Sequence, residues 1–116
     1  MDALGIPPGL PFVGWVFSDG FAERNTAAMQ GFVEASAKAR AILVESDAEW
    51  DRIAPLTGSS SPEELARLRT WYRRGVPASW NLAAVPRLYD LLADIGGPAL
   101  VGPATHLQPG TLWNAA

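Results

Sequence analysis

Few residues in this chain are of types that could do chemistry. His106 is the single histidine, set in Gly102-Pro-Ala-Thr-His-Leu-Gln-Pro-Gly110, and the chain holds no cysteine. Zinc takes three or four ligands, and a general base needs a partner that orients the ring, so His106 reads as a surface-loop residue and no metal site is expected. Glu45, Asp47, Glu49 and Asp51 fall where one predicted helix ends and the next begins, the place where carboxylates cap a helix and complement its N-terminal partial charge. A glycosidic carboxylate pair would need a cleft between its members, which one short helix does not supply. Asp90 and Asp94 stand one helical turn apart on what reads as a solvated face. Arg67, Arg69, Arg73 and Arg74 interleave with Trp71 and Tyr72 in the manner of a nucleic-acid stripe. On a helix, however, Arg67 and Arg69 point about 200° apart, and Glu63 and Glu64 stand four and three residues before Arg67, where they are placed to pair with it.

No glycine-rich phosphate loop, Gly-x-Ser-x-Gly elbow or His-Glu-x-x-His pair is present, so the sequence predicts no catalytic residue, no enzyme activity and no cofactor. The acids outnumber the bases 12 to 9, for a net charge of −3. Nucleic-acid binding requires a concentrated positive field, and it is not expected here. Trp15 and Ser18, at the end of an aromatic run that begins near Phe12, are the candidate ligand-binding residues, because aromatic side chains at a strand end commonly line small-molecule clefts.

These residues must be positioned by a chain of 116 residues, 48% hydrophobic and 18% charged, the composition of one folded domain spanning 1–116. Residues 1–9 read as a loop. Leu10 to Ser18 is aromatic and β-branched, bounded by Pro8-Gly9 and Asp19-Gly20, and apolar on both faces, which predicts a strand covered on both sides. A helical region follows over 25–97. Its first helix starts at Asn25 or Thr26 and places Met29, Phe32, Val33, Ser36, Ala39 and Leu43 at helical spacing. Ser46-Asp-Ala-Glu49 and Ser61-Pro-Glu-Glu64 are capping boxes for a short helix ended by Pro55 and Gly58 and for a longer one ended by Gly75 and Pro77. Leu82, Val85, Leu88, Tyr89, Leu92 and Ile95 mark a last helix, kinked or started at Pro86 and closed by Gly96-Gly97. Residues 98–116 read as a loop in which Trp113 serves as an anchor.

The order of Leu10-Pro-Phe-Val-Gly-Trp-Val-Phe-Ser-Asp19, Phe21-Ala-Glu-Arg-Asn25, Gly31-Phe-Val-Glu-Ala-Ser36, Ser46-Asp-Ala-Glu-Trp50, Tyr72-Arg-Arg-Gly-Val-Pro77, Leu91-Leu-Ala-Asp-Ile-Gly-Gly97, Val101-Gly-Pro103 and Pro109-Gly-Thr-Leu-Trp113 resembles the C-terminal part of periplasmic substrate-binding proteins of ABC importers, of the nitrate, sulfonate, taurine and thiamine-precursor type. The family has proline after the asparagine that opens the long helix, where this chain has Thr26. The resemblance implies a mainly α chain with one N-terminal strand, a fragment of the two-lobed α/β periplasmic-binding-protein fold (type II). It also implies a non-catalytic solute-binding component for a small anionic or heterocyclic solute, handed to a membrane permease. Members work in the periplasm. Met1-Asp-Ala-Leu-Gly-Ile-Pro-Pro8 lacks the basic start and unbroken apolar run of an export signal, so the chain as it stands is expected to be cytoplasmic or of unknown compartment.

A second reading makes the chain a small helical protein–protein interaction module that anchors partners with Trp15, Trp71 or Trp80. Under either reading a strand with no in-chain neighbour is expected to pair with its own copy, giving a homo-oligomer through residues 10–18.

Overall fold

In a computed structural model, which describes residues 5–113, the chain is helical and divides into two compact bodies, one made of Met1–Trp15 with Pro77–Ala116 and one of Val16–Val76. No strand forms among the described residues, which corrects the expected strand at 10–18 and, with it, the two-lobed α/β fold. The reason is physical. A strand exists only where a neighbour completes its hydrogen-bond ladder, and every other apolar run in this sequence has helical spacing. Leu10 is buried, but Phe12, Val13, Trp15 and Val16 are 65, 90, 71 and 97% exposed, so apolar character on both faces marks a segment covered on neither. Phe17 is half-buried, and Ser18 caps the helix that follows.

The Val16–Val76 body contains α1 (Asp19–Arg24), α2 (Thr26–Glu45), α3 (Asp47–Thr57) and α4 (Pro62–Gly75). α1 replaces the expected turn at Asp19-Gly20: the Ser18 hydroxyl accepts from the Phe21 N–H, and Asp19 sits in the first turn. α2 runs as expected, its inner side marked by buried Met29 and half-buried Ser36, Arg40, Leu43 and Val44, and it packs on both α3 and α4. Trp50, 4% exposed, is the most buried of the core residues and meets the Tyr72 ring edge-on, with centroids 5.4 Å apart and planes at 69°. Ala22, Met29 and Leu65 are the other buried apolar residues of this body.

The capping boxes form by halves. The Ser46 and Ser61 hydroxyls accept from the Glu49 and Glu64 N–H groups, as the spacing requires. The return contacts differ, because Glu49 turns to Arg52 at 2.6 Å and Glu64 reaches Ser60, accepting from its N–H at 2.6 Å and its hydroxyl at 2.8 Å. Pro55 does not end α3 but lies inside it. The stop is Gly58, whose φ of +72° is the left-handed value that a helix C-terminus needs and glycine adopts at little cost.

The other body holds a 3₁₀ turn at Leu82–Ala84, α5 (Val85–Gly96) and α6 (Pro98–Val101). Pro86 stands in the first turn of α5, so the helix starts there and does not kink. α6 is a single turn inside the segment expected to be loop. The Gly9 carbonyl accepts from the Asn81 N–H at 2.8 Å, which ties the N-terminal segment to residues 77–81. Gly9 has φ +81°, and a Cβ there would stand 2.9 Å from the Ser79 carbonyl oxygen, so only glycine fits. Trp113 is half-buried. No described helix is long and apolar enough to cross a membrane.

Candidate functional site

Two features remain once the packing is accounted for. The first is the run from Phe12 to Val16, an apolar surface with no strand partner among the described residues. Burying a side chain of this class is worth about 1.5–3 kcal/mol, so leaving Phe12, Val13 and Val16 largely in water is a standing cost that a covering partner would remove. Trp15, one of the two candidate ligand-binding residues, belongs to this run and to one body. Ser18, the other, belongs to the second body, where its hydroxyl is engaged as the cap of α1. Neither lines a cavity described below.

The second feature is a cleft of about 250 Å³ between the N-terminal segment and α5, lined by Ile6, Pro7, Leu10, Arg87, Leu88, Asp90, Leu91 and Asp94 with Gly5. Leu88 belongs to the stripe expected of this helix; the signal left unread is the Pro-rich start, whose Ile6, Pro7 and Leu10 line the cleft with Leu88 and Leu91. Asp90 and Asp94 therefore face a cleft, where a solvated face was expected. The cleft's charged lining is one guanidinium against two carboxylates, a net negative wall that favours a cationic or neutral ligand over an anion.

His106 stands as expected on the surface, but with a partner that its sequence neighbours did not show. Its Nδ1 lies 2.9 Å from Asp90 Oδ1, across 16 residues of chain. The segment is brought there by Tyr89, whose hydroxyl lies 3.1 Å from the Val101 carbonyl oxygen and 3.0 Å from that of Ala104, sharing its one proton between them. A His–Asp pair orients an imidazole, yet no serine, threonine or lysine lines this cleft to serve as nucleophile. Among the described residues no group of three or more His, Asp or Glu side chains could hold a metal ion.

The arginines of α4 are structural in part. Arg69 Nε and Arg73 Nη2 lie 3.6 and 2.8 Å from Asp47 Oδ1, so the helix start of α3 is clamped to α4. Arg73 Nη2 is closed off from water and makes no well-angled hydrogen bond, so its link to Asp47 is electrostatic attraction at short range. That use of Arg69 and Arg73 removes two of the four arginines from any phosphate-binding stripe. The pairing expected between the α4 acids and Arg67 is a through-space attraction only: Glu64's carboxyl is held below its ordinary value of 4.5 chiefly by the Ser60 backbone and side-chain hydrogen bonds, with Arg67 adding a smaller pull.

Compared with protein-family models, curated proteins and solved structures, the chain matches none.

Proposed function

We propose that this chain is a non-catalytic helical interaction module that presents the Phe12–Val16 segment to a partner protein. The observation that carries the reading is the surface left uncovered. Phe12, Val13 and Val16 are 65, 90 and 97% exposed within one short run. Phe12 and Trp15 are anchor-type residues, and aromatic side chains of this kind dominate interface energetics. An extended apolar segment with β-branched Val13 and Val16 suits addition to a partner's sheet edge, where the partner's backbone completes the ladder this chain lacks.

The test is a photoreactive phenylalanine analogue placed at Val13 or Val16 in the native cell. One defined protein adduct is expected from these positions, lost when Phe12 and Trp15 are both changed to serine, and absent when the analogue sits at Ala37. Equal labelling from all three positions would sink the proposal.

The solute-binding role implied by the importer resemblance is a second reading, favoured by the cleft on α5. At about 250 Å³ the cleft is smaller than the roughly 300–1,000 Å³ of drug-sized ligand sites, and its charge selects a small cationic or neutral heterocycle. Calorimetry with thiamine-precursor pyrimidines, nitrate and sulfonates separates the two readings: micromolar binding lost in Asp94→Ala supports a solute role.

A further inference from the structure

We infer that the cleft on α5 is a site for a small zwitterion, an α-amino acid with an apolar side chain. The inference rests on the second reading above, in which this cleft holds a solute, and it names that solute's class. The cleft lies wholly within one body, the one formed by residues 1–15 and 77–116.

The wall that α5 contributes is divided along its length. At about 100° per residue, Arg87, Asp90 and Asp94 fall within an arc of about 60° and form a charged rail. Leu88 and Leu91 fall to one side of that rail and, with Ile6, Pro7 and buried Leu10, supply an apolar trench. Opposite charges three residues apart on a helix can pair, yet Arg87 forms no ion pair with Asp90 or Asp94. Among the described residues, Arg87 and Asp94 are in no ion pair at all. Asp90 Oδ1 lies 2.9 Å from His106 Nδ1, which leaves Oδ2 as the oxygen offered to a ligand. One edge of the trench therefore carries a cation and two carboxylates that do not neutralise one another.

These features select among ligands. A simple anion would meet two carboxylates, a simple cation would leave the guanidinium beside it unmatched, and an uncharged apolar molecule would desolvate the rail with nothing in return. An α-amino acid answers each part of the lining. Its carboxylate takes the planar fork of Arg87, its ammonium sits between Asp90 and Asp94, which stand one turn apart, and its side chain lies along Leu88, Leu91 and Leu10. The size agrees, since a cleft of about 250 Å³ falls below the range of drug-sized sites and suits a ligand of one residue.

The test is calorimetry on the full chain with a set of related probes: L-leucine, isoamylamine, which is leucine without its carboxylate, 4-methylpentanoate, which is leucine without its amine, and glycine, which lacks the side chain. L-leucine is expected to bind on the order of tenfold more tightly than each of the others. Arg87→Ala should abolish the preference over isoamylamine, and Asp94→Asn the preference over 4-methylpentanoate. Both residues are exposed, so far-UV circular dichroism should be unchanged in either variant. Isoamylamine bound by the parent chain as tightly as leucine would overturn the zwitterion while leaving the cleft a solute site, one for organic cations. Absence of binding by all the probes at millimolar concentration would overturn it as well, and the pyrimidine, nitrate and sulfonate titrations then judge the solute reading separately.

Discussion

The Trp50 indole N–H donates to the Leu43 carbonyl at 2.8 Å, and the Arg73 Nε–H reaches the same oxygen at 3.3 Å. One backbone oxygen in the last turn of α2 is thereby held by side chains from α3 and α4, and these three helices form the core of their body. Trp50→Phe keeps most of the ring packing and removes one donor, while Arg73 still satisfies the oxygen. A loss of about 0.5–1.5 kcal/mol is expected. Trp50→Ala also empties the core and should cost about 3–5 kcal/mol. Urea titration of both variants, followed by far-UV circular dichroism, checks the ordering.

Val13 and Val16 are almost wholly exposed, so their replacement by aspartate should leave stability within about 0.5 kcal/mol of the parent chain. A covered strand would give the opposite, since burying an unpaired carboxylate unfolds small domains. Thermal melts of Val13→Asp and Val16→Asp decide between a surface segment and a core strand. A fall in midpoint of more than a few degrees would show that the segment is buried.

Glu64's carboxyl is held below its ordinary value, first by the Ser60 backbone hydrogen bond, then by the Ser60 hydroxyl. A group whose native value is lowered contributes stability that is fully present above its unfolded value and is lost as pH falls through the native one. The contribution of Glu64 should therefore be intact at pH 6 and fade below about pH 4.5. Glu64→Gln should flatten that acid limb. A variant whose stability falls below pH 4.5 as steeply as the parent's would show that Glu64 does not set it.

Tyr89 holds the segment after α5 through one hydroxyl placed between the Val101 and Ala104 carbonyls. Tyr89→Phe should cost about 1 kcal/mol and, more tellingly, raise hydrogen exchange across residues 101–106 without touching the Val16–Val76 body. Exchange mass spectrometry reads both regions at once. Equal protection in the two proteins would mean that the hydroxyl does not pin the segment.

The longer helices α2 to α5 were legible because their signals are local: Ser46 and Ser61 before acidic first turns, Gly58 at a left-handed stop, and helical spacing from Met29 to Leu43 each act within a turn or two of chain, whereas the short α1 and α6 carry no such periodic signal. Leu10–Ser18 was not legible, because β-branched and aromatic residues permit a strand but only a neighbouring strand makes one, and this sequence contains no second run of that kind. The cleft on α5 and the His106–Asp90 pair join residues 16 to more than 80 positions apart, a proximity no local pattern encodes. Which side of α2 turns inward was decided by tertiary structure, which buries Met29 and grips the Leu43 carbonyl with Trp50 of α3 and Arg73 of α4.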